Sequence, residues 1–324
     1  MKLVIQVPCY NEEATLPYVL HQLPKSIEGV DCVEVLVVDD ASTDMTRKVA
    51  HQLGVHHIIT FTKRRGLAYA FATALECSLR VGADIIVNTD GDNQYSGRDV
   101  AKLIQPILDR NADMVIGTRS LSEIAHFSKF KKFLQHCGSW VVRWISRTDV
   151  RDATSGFRAL SREAALRLSV LSSYTYTLET IIQAAKKGIA IAQVPIATNP
   201  KTRESRLITS VPYYILRSSL TILRVLLMYE PLRFFFTVGS VLLLTGLLLG
   251  FRFFYFYLHG GGQGHVQSLI LAAILIILGV QNAMLGLLAY LLGILRHFSE
   301  DTNYRIKKME LNCSGGLPTI RKPK

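Results

Sequence analysis

The chain has 324 residues, 49% of them hydrophobic and only 19% charged, with a mean hydropathy of +0.25. Soluble domains carry about 25% charged residues, so the deficit predicts a lipid-embedded part, and the composition excludes a disordered, collagen-like or small secreted protein. Thirty-seven Lys and Arg against 25 Asp and Glu leave a net charge of +12, which favours phosphates, a lipid headgroup surface or nucleic acid as partners.

From the first residues onward the rhythm is strand, loop, helix. Lys2 leads into a short β-like run and then Pro8, without the pattern of a signal peptide. The short, β-branched runs Leu3–Val7, Val33–Val38, Asp84–Thr89 and Asp113–Gly117 predict strands. Helical patterns at Glu13–Gln22, Asp44–His51 and Gly66–Arg80 lie between them, with Ser42 or Thr43 placed to cap the second. Such alternation predicts an α/β domain over about residues 1–210, with a mainly parallel sheet covered on both faces.

A polar cluster follows each strand: Pro8 to Glu13, Asp39 to Asp44, Asp90 to Gln94, and Thr118-Arg119. Ligands of open α/β sheets bind outside the carboxyl ends of the strands, so that edge is the predicted site. Neither a G-x-G-x-x-G after the first strand nor a G-x-x-x-x-G-K-[ST] is present, which removes the dinucleotide fingerprint and the P-loop. Asp90-Gly91-Asp92 offers instead two hard oxygen ligands, suited to Mg²⁺ or Mn²⁺ completed by water and substrate phosphate. Of the Asp pair after the second strand, Asp39 reads as a turn former and Asp40 as the binding residue. Glu179, near the start of a helix ending at Gly188, reads equally as a favourable charge at a helix N-terminus or as a site residue. His56 and His57 read as surface residues without a nearby carboxylate.

Between Arg119 and Arg167 lie ten Lys or Arg and four Asp or Glu, a surplus suited to anionic lipid. No nucleic-acid-binding motif accompanies it, so nucleic acid is not expected. Val211 to Glu230 carries Arg217 and Arg224 on one face among Leu, Ile and Val, which predicts an interfacial amphipathic helix over about 211–232. Phe234 to Leu258 is 25 residues with the single charge Arg252, and Val266 to Leu295 is 30 residues with none. Each exceeds the roughly 20 residues that cross a bilayer, so a two-helix transmembrane hairpin is expected over 233–298. The loop His259 to His265 has no Lys or Arg, whereas Arg233 precedes the hairpin and Arg296, Arg305, Lys307 and Lys308 follow it. The positive-inside rule then puts the loop outside, and the catalytic domain and a basic tail over 299–324 in the cytosol. Arg252 either snorkels outward or faces the partner helix. Five scattered cysteines (Cys9, Cys32, Cys77, Cys137 and Cys313), with no CxxC pair, argue against a disulfide framework or a zinc site and fit a reducing compartment.

VPCYNEE, VVDDASTD, TDGDNQ and DATSGFR, in that order, resemble the family 2 inverting glycosyltransferases of GT-A fold, and more closely the polyprenyl-phosphate glycosyltransferases of the dolichol-phosphate mannose synthase group. The resemblance implies sugar transfer from a nucleotide sugar (GDP-mannose or a UDP-hexose) to a membrane polyprenyl or dolichyl phosphate, with Mg²⁺ or Mn²⁺ as cofactor. It implies that Pro8, Tyr10, Asn11, Glu12, Asp40 and Gly66 form the nucleotide site. Asp90, Asp92 and Gln94 would hold the metal, and Arg119 phosphate. Asp152, Thr154, Ser155 and Arg158 belong to the acceptor motif, Asp152 orienting the acceptor or balancing Arg158. Two segments depart from the family pattern. Arg64 stands where the family often has Asn, and the stretch Pro200 to Arg206 has Pro200 in an Arg place and Arg203 in a Gly place, with Arg206 standing for a Lys; Arg203 or Arg206 is the expected diphosphate contact there. Self-association is compatible with such a chain. A lipid phosphate has a second pKa near about 6, so the acceptor needs no strong general base. Transfer to another lipid such as diacylglycerol, a processive polysaccharide synthase and a non-catalytic membrane scaffold are the competing readings. The synthase requires a Gln-x-x-Arg-Trp segment, and the nearest stretch, Trp140 to Trp144, has Trp in the Gln place.

Overall fold

The computed structural model describes residues 1–119, 143, 148–170, 176–199, 220, 223–224, 226–260 and 265–313. The chain divides into two compact units, one of residues 1–215 with 301–324 and one of residues 216–300. In the first unit β1 (Lys2–Cys9), α1 (Leu16–Gln22), β2 (Cys32–Asp39), α2 (Thr46–Gln52), β3 (His57–Thr60), α3 (Leu67–Arg80) and β4 (Ile85–Asn88) follow one another as the expected alternation. Then come α4 (Val100–Leu108), β5 (Met114–Arg119), β6 (Arg158–Ser161), α5 (Arg162–Arg167), α6 (Thr177–Lys186) and β7 (Ile191–Ile196).

The seven strands form one sheet in the order β3-β2-β1-β4-β6-β5-β7. β1 pairs in parallel with β2 and β4, β2 with β3, and β5 with β7. β6 runs antiparallel between β4 and β5, so the sheet is mixed rather than uniformly parallel. Sequence gave little warning of β6, because its four residues are too short for a periodicity to show. β1 is buried on both faces from Leu3 to Cys9, which explains why its sequence is almost continuously apolar instead of alternating. Leu3, Ile5 and Val7 pack with Leu16, Leu103, Ile104 and Phe157 in the core. The strand order reverses at β1, whose neighbours β2 and β4 lie on opposite sides. Open α/β sheets bind ligands at such a switch point, outside the carboxyl ends of the strands, where the loops that follow β1 and β4 lie here.

Two helices, α7 (Pro231–Leu258) and α8 (Val266–Cys313), are long and apolar enough to cross a membrane, with mean hydropathies of 2.2 and 2.3 over their most apolar stretches. Their outward side chains include Leu248, Phe251, Leu292 and Leu295, each nearly two-thirds exposed or more, a surface that water would penalise and lipid would not. Small residues let the two backbones meet: a Cβ at Gly239 would stand 2.9 Å from Gly279 O, and one at Gly279 would stand 2.9 Å from Gly239 O. Arg252 is exposed on α7, its guanidinium 5.9 Å from the ring of Phe256 one turn on. At about 1.5 Å per residue, the 48 residues of α8 span roughly 72 Å, more than twice a hydrocarbon core. The helix does not stop near residue 295, and the start of the expected tail is its continuation. From Asp301 onward it belongs to the first unit, where Tyr304 Oη donates to Glu163 Oε1 (2.8 Å) and the Arg167 guanidinium lies 5.5 Å from the Tyr304 ring. In the expected interfacial segment, the described residues Leu220, Leu223, Arg224 and 226–229 are helical; Arg217 lies outside the described residues.

Candidate active site

Three loops meet where β1, β2 and β4 end. Asn11 N donates to Ser42 Oγ (2.9 Å), Thr43 N donates to Asn11 Oδ1 (2.8 Å), and Glu12 N donates to Thr46 Oγ1 (2.8 Å). Ser42 and Thr43 therefore tie the second loop to the first and do not cap α2, as the sequence suggested. That helix starts at Thr46, whose N–H is accepted by Asp44 Oδ1 at 3.0 Å. Asn11, Ala41 and Asn93, one in each loop, have φ of 55°, 57° and 59°. Left-handed backbone costs a non-glycine residue on the order of 1–3 kcal/mol, and such strain gathers at sites whose geometry function dictates.

Asp40 is 4% exposed, and its carboxylate accepts the Arg65 N–H (2.7 Å) and the Gly66 N–H (2.8 Å). Gly66, at φ 93°, turns the chain into α3 in a conformation that a side chain would strain. Asp39 accepts the Ser42 N–H at 3.0 Å, the turn-forming role expected of it. Arg64 lays its guanidinium 4.0 Å from the centroid of the Tyr10 ring, bringing a cation to the position where the family resemblance implies an Asn.

Gly91 is enclosed by the first loop. A Cβ there would stand 3.0 Å from Cys9 Sγ and 3.3 Å from Pro8 O, a close approach of this loop to β1 that a side chain would crowd. Thr15 Oγ1 bridges the contact, lying 2.8 Å from both Glu12 Oε2 and Gly91 O. Burial, and then the charge of Asp92, push the Asp90 carboxyl up to about 7, with Arg119 and Arg158 opposing. Asp90 Oδ1 is sealed from solvent without a hydrogen-bond partner. A shielded carboxylate oxygen with no donor, beside a second carboxylate, fits a divalent cation that takes its remaining ligands from phosphate and water. Among the described residues no group of three or more His, Cys, Asp or Glu converges. Gln94 sits in the same loop, its N–H donating to Asp92 Oδ1 at 3.1 Å.

Arg119, at the end of β5, makes a two-point ion pair with Asp152: Nε to Oδ2 at 2.7 Å and a terminal nitrogen to Oδ1 at 2.9 Å. The same terminal nitrogen donates to Thr154 Oγ1 at 2.8 Å, and Thr154 is exposed. Burial works against ionisation of Asp152, but the Arg119 hydrogen bonds and charge prevail and hold its carboxyl below the usual carboxylate range. Asp152 thus makes its ion pair with Arg119, while its charge also favours the charged form of Arg158. Ser155 and Arg158, expected at the acceptor, both have their side chains in the core. Arg158 is 0% exposed and donates to Thr177 O (3.1 Å), Thr180 Oγ1 (2.6 Å) and Ser155 O. An arginine in a motif carries no mark of burial, and only the packing of α6 over the loop decides it. Glu179 is likewise buried, accepting from Gln183 Nε2 at 3.4 Å. His57 opens β3 and lies 2.7 Å from Glu34 Oε2, which corrects the expectation of no nearby carboxylate; the two residues sit on paired strands that sequence spacing does not reveal. Arg203 and Arg206 lie outside the described residues.

Asn88, Tyr95 and Tyr176 escaped the sequence reading. All three are buried, and they converge on Gly156. The one available signal was that Tyr95 directly follows the acidic loop.

The family model for glycosyl transferase family 2 matches residues 4–169. The chain belongs to that family. It is similar to an undecaprenyl-phosphate mannosyltransferase of Micrococcus luteus, 29% identical over 206 residues (60% of this chain and 83% of the relative). It is also similar to a UDP-N-acetylglucosamine–dolichyl-phosphate N-acetylglucosaminyltransferase of Methanococcus voltae, 30% identical over 216 residues, 59% and 83% of the two chains. In fold it is similar to glucosyl-3-phosphoglycerate synthase of Mycobacterium tuberculosis, crystallised with Mn²⁺, UDP and glucosyl-3-phosphoglycerate. The TM-score is 0.53 at 23% identity, covering 68% of this chain and 79% of the other. The first unit is therefore a GT-A fold of a glycosyltransferase, followed by two apolar helices of membrane-spanning length.

Proposed function

We propose that the protein transfers a hexose, with inversion, from a GDP- or UDP-sugar to the phosphate of a membrane polyprenol. The observation that carries this reading is the juxtaposition of two charge systems at one sheet edge. Asp90 and Asp92 are suited to a cation bound to the donor diphosphate, and the Arg119–Asp152–Thr154 group offers donors to a second phosphate; Arg119 lies near enough to Asp90 to influence its ionisation. The names of the relatives, which act on undecaprenyl or dolichyl phosphate, and the apolar hairpin support a lipid acceptor.

Pro8, Tyr10, Asn11, Glu12, Asp40 and Gly66 form the nucleoside side in this reading, and Arg203 and Arg206 serve the diphosphate. When bound, Mg²⁺ or Mn²⁺ at Asp90 and Asp92 would neutralise charge growing on the departing diphosphate. An oxygen of the acceptor phosphate attacks the anomeric carbon, the bond from that carbon to the diphosphate oxygen breaks, and the electron pair leaves with the nucleoside diphosphate. No proton must be removed, because a phosphate monoester is largely dianionic at neutral pH. This suits Asp152, whose two oxygens are engaged by Arg119 and whose depressed pKa makes it a weak base. Arg119 and Thr154 hold the acceptor phosphate through charge-assisted hydrogen bonds, while Ser155 and Arg158 support the loop from within. The catalytic unit faces the cytosol, as the Lys and Arg distribution around the hairpin implies.

The test is a donor screen with the purified full-length protein, a short-chain polyprenyl phosphate, Mn²⁺ and a panel of nucleotide sugars. One donor class should yield a polyprenyl phosphosugar. Sugar polymer formed without lipid phosphate, or no transfer to lipid phosphate from any donor, would overturn the proposal.

A further inference from the structure

At Gly156 a side chain would displace its neighbours, and the reason is space rather than backbone conformation. Its φ lies outside the left-handed range, so an alanine backbone would be tolerated. A Cβ, however, would stand 2.8 and 2.9 Å from the two carboxylate oxygens of Asp90 and 3.0 Å from Tyr176 Oη. The residue is pinned through both of the peptide groups that flank its Cα. Its N–H donates to Tyr95 Oη (3.0 Å), and its carbonyl accepts from Asn88 Nδ2 (2.8 Å). Asn88 is itself fixed, donating to Tyr176 Oη (2.9 Å) and accepting from Gln6 Nε2 (3.0 Å) on the neighbouring strand. Tyr95 is held by stacking on Phe157, with ring centroids 5.3 Å apart.

These contacts join two segments far apart in sequence: the acidic loop after β4, and the Asp152–Arg158 loop that leads into β6. We infer that Gly156, gripped by Tyr95 and Asn88, is a positioning element that sets the orientation of the Asp90 carboxylate for its cation and ties that orientation to the loop carrying Asp152 and Thr154. The inference rests on the metal reading of Asp90 and Asp92 proposed above. Asp90 Oδ1 is sealed without a hydrogen-bond partner, so packing helps to set its direction, and the space into which the two oxygens reach is the space that a Cβ on residue 156 would take. Groups that orient a metal ligand without touching the metal typically change affinity about 10–100-fold when altered.

The experiment is a Mn²⁺ titration of the folded, full-length protein in detergent, read by the loss of the free-ion electron paramagnetic resonance signal, with thermal melting run in parallel. Gly156→Ala should weaken Mn²⁺ binding by about tenfold or more. Tyr95→Phe keeps the ring stack and removes only the acceptor of the Gly156 N–H; it should weaken binding severalfold at temperatures where the protein is fully folded, and it carries the test alone if Gly156→Ala fails to fold. A merely structural role would lower the melting temperature and leave the affinity of the folded protein unchanged. Tyr95→Phe within twofold of wild type, while Asp90→Asn abolishes binding, would overturn the inference and leave the metal reading standing. Wild-type binding that survives in Asp90→Asn would overturn both.

Discussion

Replacing Asp152 by Asn tests the ion pair that ties the Asp152–Arg158 loop to the end of β5. The pair is nearly closed to solvent, with side chains 13% and 8% exposed, and both carboxylate oxygens are engaged by Arg119. Breaking a buried pair by removing one partner costs about 3–5 kcal/mol; Asp152→Asn retains one acceptor oxygen, so the lower end, about 3 kcal/mol, applies. A domain of about 200 residues moves roughly 2–4 °C per kcal/mol, so the melting transition should fall by roughly 6–12 °C in differential scanning fluorimetry of the detergent-solubilised protein. The pH dependence carries a second signature. Arg119 depresses the folded-state pKa of Asp152, so its contribution is complete above the unfolded value near about 3.9 and disappears as pH falls through the folded value. The gap between wild type and Asp152→Asn should therefore narrow only below about pH 3.9. A transition within about 2 °C of wild type at neutral pH, or a gap that closes instead between pH 6 and 7, would refute the pair as described.

Asp92→Asn should lose most transfer activity while melting like the wild type, and EDTA should do the same; wild-type rates in EDTA would contradict the metal reading. Asp152→Asn should be milder in rate than Asp92→Asn. The acid limb of the rate profile should follow the lipid phosphate near about pH 6 and move when a phosphonate acceptor of different pKa is used; a limb fixed with the analogue but shifted in Asp152→Asn would identify Asp152 as the base. Tyr304→Phe removes the hydroxyl that bonds Glu163 and should lower stability by about 1 kcal/mol, seen as faster proteolysis of the segment beyond Asp301; unchanged cleavage would show that this contact does not hold it. A tag inserted after Gly262 should be accessible only from outside and one at Lys324 only from the cytosol; finding both on one side would reverse or abolish the hairpin.

Apolar runs were legible because they are local. The strands Leu3–Val7 and Val33–Val38, the helix over Gly66–Arg80 and both hydrophobic spans follow from period and length, which depend on neighbours in sequence. The acidic loop and the strand-end clusters were legible because an open α/β sheet places every such loop on one edge, whatever the order of its strands. β6 was not legible: four residues cannot display a period, and their antiparallel seat between β4 and β5 depends on strands far away in the chain. Nor was the division of labour in the Asp152–Arg158 loop. The two arginines that this loop engages are alike as residue types, yet Arg119 faces the site with Asp152 while Arg158 is sealed beneath α6. Sequence by itself determined which chemical groups gather at the edge, because their order along the chain places them there. Which of them meets solvent, which carboxylate pairs with which cation, and why a side chain at residue 156 would crowd Asp90 were decided by the tertiary structure, because burial and ion pairing are properties of what packs on top.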